Sequence, residues 1–242
     1  MNEYSKMEVD QQVIKQVGFK YLVIFSMFYM SIMLFNAITT NRYIGTDLLF
    51  VLGGTFTSPL IFVLDDIIAE IYGYKTARSV IITGFVAQIL FALVSIAVIS
   101  APHPEFFTKN EHYASILGNS LFHITVSGFF AYIIANLINS YIITRWKVLL
   151  KGKMFWLRSI GSSAFSEILY SFIAILAMQF GSIPLSEILK VALLSCTIKI
   201  AYSVVLAFPA NLLTNHVKKV TGIDVYDVPK KFTPFTSFAK KV

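Results

Sequence analysis

The sequence predicts an all-α membrane protein with six transmembrane helices and both termini cytoplasmic. Three observations predict it. First, 56% of the 242 residues are hydrophobic and only 14% are charged, with a mean hydropathy of +0.71. A soluble domain of this length has no interior large enough for so much apolar surface. Second, the apolar residues fall into six segments. Each can cover a hydrocarbon core of ~30 Å, which takes roughly 20 helical residues. Barrel strands would be about half as long and would alternate in polarity, and these segments do not alternate. Third, sixteen of the twenty Lys and Arg residues fall in or beside residues 1–18, the second-to-third and fourth-to-fifth connections, and the C-terminal tail. The opposite side holds only Arg42, Lys109 and Lys190, and Lys199 lies inside a segment. Cytoplasmic loops carry such an excess. The net charge of +7 therefore reads as membrane orientation and not as nucleic-acid binding.

Residues 1–18 mix Glu3, Lys6, Glu8, Asp10 and Lys15 and are expected to form a short cytoplasmic leader, amphipathic or disordered. No small-residue cleavage pattern follows the first apolar run, so a cleaved signal peptide is not expected. The transmembrane domain is expected over 19–213, with spans at 19–38, 47–72, 79–100, 116–144, 156–180 and 185–213. The second holds Gly53, Gly54 and Pro59, and is the span expected to be kinked or broken. Interrupted helices expose backbone groups to a substrate cavity, whereas small residues alone allow close packing. The third-to-fourth connection contains His103 and His112 at a spacing that matches no metal-ligand motif, and reads as an ordinary loop. The single Cys196 excludes an intrachain disulfide and a cysteine-only metal cluster. Residues 214–242 are expected to form a polar, basic tail that lies along the anionic inner leaflet or is disordered. No Walker lysine loop, nucleophile elbow, paired-histidine zinc motif or dinucleotide glycine pattern is present, so neither a resident cofactor nor an ATP site is expected.

Two groups of residues carry the candidate chemistry. In SPLIFVLDDIIAEIYGYKTAR (58–78), Asp65, Asp66 and Glu70 close a strongly apolar segment. An acid at a bilayer centre costs about 2.5–3.5 kcal/mol, and less near the interface. Asp66 and Glu70 are four apart and share a helix face. They read either as a site for a polar or cationic ligand, or as a helix end whose acids are solvated or paired with Arg78. The second group is Glu167 and Lys199. Each is more than ten residues into its span, near mid-bilayer depth, which suggests an ion pair or a shared polar cavity. Asn136, Asn139 and the serines of the fifth span fit interhelical hydrogen bonding, worth about 0.6 kcal/mol each.

These residues carry a resemblance. PLIFVLDDIIAEIYGYKTAR resembles the signature of the queuosine precursor transporter family, also called the vitamin uptake transporter family. Pro59, Phe62, Asp66, Glu70, Tyr72, Gly73, Ala77 and Arg78 fall in register. SGFFAYIIANLINSYIITRWK (127–147), SSAFSEILYSFIA (162–174) and CTIKIAYSVVLAFP (196–209) are similar to its fourth-, fifth- and sixth-span patterns. Asn139 stands where many relatives carry Asp, and Ala69 where Asn is common. The resemblance implies a fold like the substrate-binding subunits of energy-coupling-factor vitamin importers. It also implies a place in the bacterial inner (plasma) membrane. The implied activity is import of 7-cyano- or 7-aminomethyl-7-deazaguanine, or of queuine, for the queuosine of tRNA, with no direct contact to nucleic acid.

A guanine-like base offers an N–H and an amino group on one edge, which a carboxylate accepts at two points. Glu70 or Glu167 suits that role, and Lys199 suits the ring carbonyl. Phe62, Tyr72, Phe165 and Tyr170 offer aromatic faces, with Asp66, Asn136 and Asn139 as further polar candidates. The preferred mechanism is alternating access, coupled to protons through Asp66 or Glu70. A binding subunit served by a separate ATPase module, a homodimer, and a membrane-embedded metal-dependent enzyme built on Asp65, Asp66 and Glu70 are the alternatives. The enzyme reading lacks a second acidic motif at metal spacing.

Overall fold

The computed structural model of the chain describes residues 3–227. Among these, seven α-helices and one small hairpin form a single bundle. The helices are α1 (Glu3–Thr39), α2 (Gly54–Tyr72), α3 (Tyr74–Ile99), α4 (Asn110–Leu117), α5 (Asn119–Leu149), α6 (Phe155–Gln179) and α7 (Leu185–Thr221). Five stretches are long and apolar enough to cross a membrane: Gln16–Thr39, Tyr74–Ile99, Asn110–Leu149, Phe155–Gln179 and Leu185–Thr221. The chain is thus an all-helical, multi-pass membrane protein. α2 has 19 residues and carries three acids, which keeps it outside that set.

Four boundaries differ from the sequence expectation, one of them the 213/214 start of the tail, which falls inside α7 because that helix runs to Thr221. The residues expected as a separate leader continue directly into α1, because no proline interrupts the helix and Gly18 alone does not break it. The second segment begins as a hairpin and not as helix. β1 (Tyr43–Gly45) pairs antiparallel with β2 (Phe50–Leu52), with Ile44 opposite Val51, and Thr46 N–H donates to the Leu49 carbonyl at 2.9 Å to close the turn. The helix starts only at Gly54 and then runs through Pro59. The third-to-fourth loop contains α4. The part of the basic tail beyond residue 227, with Lys230, Lys231, Lys240 and Lys241, lies outside the described residues.

Packing follows the apolar pattern. α3 buries Tyr74, Ala77, Ile81, Gly84, Phe85, Gln88 and Ala92, spaced at three and four, and turns Val86, Leu90, Val94 and Val98 outward to lipid. α2 is the central helix. It packs against α1, α3, α5, α6 and α7 and is buried along most of its length. Its upper half joins the core of Phe62, Phe85, Tyr132, Tyr170 and Met178, and its lower half joins that of Ile67, Ile68, Ile71, Ile143 and Val217. Every polar group on α2 therefore faces protein.

Candidate functional site

A cavity of about 430 Å³ opens at the end of the bundle that carries the hairpin. Thr40, Asn41, Tyr43, His123 and Gln179 line it. Tyr43 Oη donates to Gln179 Oε1 at 2.8 Å, and Asn41 Nδ2 to the Ile116 carbonyl at 2.9 Å, which fixes the rim. Two narrow extensions lead inward. One passes Asn36, Gln88, Thr125 and Tyr132, and the other passes Thr55 and ends at Lys199; Tyr170 borders both. Thr40 and Met178 border the cavity and both extensions, so the three are neighbours along one track.

At the end of the track Lys199 Nζ lies 3.3 Å from Glu167 Oε2. The ion pair read from the sequence is present. Its hydrogen bonding is incomplete. Lys199 donates to Ser171 Oγ at 3.1 Å and sits 4.5 Å from the centre of the Tyr170 ring. Neither Glu167 oxygen has a hydrogen-bond partner among the described residues, although the side chain is fully buried. Tyr170 packs edge-on against Phe62 and Tyr132, at centroid distances of 6.2 and 6.4 Å. The donor, Lys199, thus borders the inner extension beside Tyr170, and the acceptor, Glu167, is buried directly behind it.

One turn below Phe62, Asp65 and Asp66 are buried against α5 and α6. Asn139 Nδ2 donates to Asp66 Oδ1 at 2.6 Å and lies 3.4 Å from Asp65 Oδ2, and Ser140 Oγ donates to Asp65 Oδ2 at 2.7 Å. Ser163 donates to Asp66 Oδ2 at 3.1 Å, and Ser159 donates to the same oxygen.

Glu70, one turn further, is engaged in a different way. Arg158 grips it through two bonds, Nη1 to Oε2 at 2.6 Å and Nη2 to Oε1 at 3.0 Å, and Lys218 Nζ donates to Oε1 at 2.5 Å. Lys147 donates to the Glu70 and Val225 carbonyls at 2.5 and 2.6 Å. Asp224, in the segment after α7, completes the group. It is 2.5 Å from Lys147 and 2.8 Å from Lys218. Burial alone would push the Asp224 carboxyl up, but the bonds and charges of the two lysines outweigh it and hold the group below its ordinary value of 3.8.

The structure therefore separates the residues that the sequence proposes as one site. Glu167, Lys199, Tyr170 and Phe62 converge. Asp66 and Asn139 form a second cluster with Asp65. Asn136 is buried on the same helix, with Nδ2 donating to its own Tyr132 carbonyl at 2.9 Å and Oδ1 unpartnered. Glu70 is not open to a ligand, because Arg158 and Lys218 occupy its oxygens. Tyr72 donates to the Gly18 carbonyl at 2.8 Å, far along α2 from the track. Phe165 is 56% exposed and points away from the bundle interior. The sequence reading missed Asn36, Gln88, Thr125 and Thr55. Their one available signal was an isolated amide or hydroxyl within an apolar run.

Residues 52–213, two thirds of the chain, match a family model described as "Putative vitamin uptake transporter". Comparison with curated proteins and with solved structures returned no match. The matched range runs from the hairpin's second strand through α2, both acid clusters and Lys199 to near the end of α7. With its helical, multi-pass architecture and this match, the chain belongs to the vitamin uptake transporter family.

Proposed function

We propose that this protein is an importer of queuosine precursors, 7-deazaguanine bases of the cyano, aminomethyl or queuine type, in the bacterial inner membrane. The observation that carries the reading is the Lys199–Glu167 pair beside the Tyr170 ring: Lys199 and Tyr170 border the inner extension, and Glu167, buried directly behind Lys199, has an Oε1 without a partner among the described residues. A guanine-type edge presents two N–H donors to Glu167 and a carbonyl to Lys199, while the flat bicycle lies against Tyr170. A buried polar group that loses its partner is penalised, so such a site discriminates against heterocycles that lack those groups. The family supports uptake of a vitamin-like solute, and the deazaguanine class follows from the sequence resemblance together with this donor–acceptor set.

The same reading gives six spans, with α2 as the sixth, and cytoplasmic termini. The cavity mouth then faces outward, beside Arg42, Lys109 and Lys190, while the Glu70 network closes the cytoplasmic end. Import proceeds when α2 and α6 rearrange so that the network opens below the bound base.

The test uses a bacterium unable to make 7-deazaguanines and lacking its own importer. The chain is expressed there, each precursor is supplied at low concentration, and queuosine in tRNA is assayed. Rescue by a precursor, lost in Glu167→Gln at equal membrane abundance, is the expected outcome. Absence of rescue by all three, with the protein present in the membrane, would overturn the substrate assignment.

A further inference from the structure

Asp65 and Asp66 belong neither to the substrate track nor to the Glu70 network, and they are 1% and 0% exposed. Their hydrogen bonds come from neutral donors: Ser140 and Asn139 to Asp65, and Asn139, Ser159 and Ser163 to Asp66. Among the described residues no Lys, Arg or His forms an ion pair with either carboxylate. Two adjacent negative charges enclosed in protein demand a compensating cation.

A second observation concerns buried oxygens beside the acids that lack partners among the described residues. Asn139 is 0% exposed, its Nδ2 reaches both carboxylates, and its Oδ1 has no partner. Asn136 Oδ1, about one turn along α5, and Ser166 Oγ, about one turn beyond Ser163 on α6, are buried and unpartnered as well. These oxygens lie on α5 and α6, the two helices whose side chains donate to the acids.

We propose that Asp65, Asp66 and Asn139, with the hydroxyls of Ser140, Ser159 and Ser163, form a site for one monovalent cation. The cation is either a proton shared by the two carboxylates or an alkali-metal ion held by the surrounding oxygens. Carboxylate, hydroxyl and amide oxygens are hard ligands suited to both. Titratable groups facing the pair include Tyr29, Tyr74 and Tyr132 from α1, α3 and α5; Arg78 of α3 and Tyr141 of α5 lie beside Tyr74, and Glu70, gripped by Arg158, is one turn along α2. α6 carries Ser159 and Ser163 at this site and Glu167 about one turn further, so a movement of α6 alters both sites together. That makes the cation the driving ion of uptake. This role rests on the transport reading, but occupancy of the site does not.

The experiment uses the purified full-length protein and no transported solute. Equilibrium binding of radioactive sodium is measured first. Infrared difference spectra are then recorded across a pH titration in sodium-free buffer. Saturable sodium binding, weakened about tenfold or more in Asp65→Asn and Asp66→Asn, identifies an alkali-metal site. A protonated-carboxyl band that titrates in the wild type and is missing from Asp66→Asn identifies a proton. Glu187→Gln, an exposed acid paired with Lys190, should keep whichever signal is found. Ser163→Ala and Asn139→Ala retain both carboxylates and should weaken the sodium affinity or shift the band if the aspartate variants fail to fold. A folded wild type with neither signal, or a signal unchanged in both aspartate variants, overturns the proposal. Failure of the tRNA assay alone would leave it standing.

Discussion

Glu70 shows how one side chain can be decided by neighbours far away in the sequence. Its carboxylate accepts from Arg158 and Lys218, and all three sit at or near zero to one-sixth exposure. Removing one member of such a buried group leaves the others uncompensated, which typically costs about 3–5 kcal/mol. Glu70→Gln should therefore lower the thermal midpoint of the purified protein sharply, and loss of transport should follow loss of protein. Glu167→Gln breaks a single ion pair, and Lys199 keeps its Ser171 bond, its contact with the Tyr170 ring and its place on the inner extension, so it is expected to destabilise less than Glu70→Gln while abolishing uptake. The two variants, compared by melting and by uptake, separate a structural acid from a substrate-facing one. The aromatic candidates divide in the same way. Phe62 is 1% exposed and packs on Tyr170, so Phe62→Ala should destabilise by about 3–5 kcal/mol. Phe165→Ala, on the lipid-facing surface, should change stability by no more than about 0.5 kcal/mol and leave uptake intact, as read from melting and tRNA queuosine. The Glu167–Lys199 pair was legible in the sequence because a lone acid and a lone base stood deep in two apolar runs. Glu70's partners were not. Arg158, Lys147 and Lys218 lie at helix ends, where positive residues already have a reason to be in a membrane protein, and only the folded arrangement turns them inward.

At the scale of the element, residues 222–227 are a strap across the lower end of α2. Val225 N–H donates to the Ile71 carbonyl at 3.1 Å, and Asp227 accepts from the first amide of α3, Tyr74 N–H, at 2.7 Å. Between α2 and α3 the chain turns at Gly73, which has φ +83°, and a side chain there would approach Val225 Cγ1 to 2.8 Å. Gly73→Ala combines a left-handed backbone with that collision. It should destabilise by about 1–3 kcal/mol and loosen the strap, as read by melting and by hydrogen exchange of 222–227. Asp224 makes the strap pH-dependent. Its carboxyl lies below the ordinary value in the fold, so its contribution is complete above about 3.8 and is lost as the pH falls through the lowered value. Pepsin should cut within the strap increasingly only as the pH is lowered below about 3.8, and Asp224→Asn should be cut already above it. The apolar segments gave away the long helices, because period and length suffice for them. The hairpin and α4 were hidden: strands of three residues and a helix of eight are held by local turns and by packing on the ends of longer helices, which composition does not reveal.

At the scale of the whole molecule, the two ends of the bundle are unlike. One is entered by a cavity, and the other is sealed by interlocked charges. The only cysteine, Cys196, is buried, so new cysteines can report the sidedness of each end. In intact cells an impermeant maleimide should label Ser182→Cys beside the cavity mouth, and should label Lys151→Cys in the α5–α6 turn only after permeabilisation. The opposite pattern would reverse the orientation. The cavity has a consequence for the cell itself. A bilayer insulates because its hydrocarbon is unbroken, and a cavity of about 430 Å³ at one end of the bundle removes part of that thickness. What remains between the two aqueous compartments is the lower half of α2, its buried acids and the strap beneath them. Those residues are then the electrical insulation of the membrane at this point. A chain cut after Thr221 would lose Asp224 and the Val225 carbonyl from that layer, and its first symptom should be a leak of small ions, measurable as a conductance in planar bilayers with no solute present.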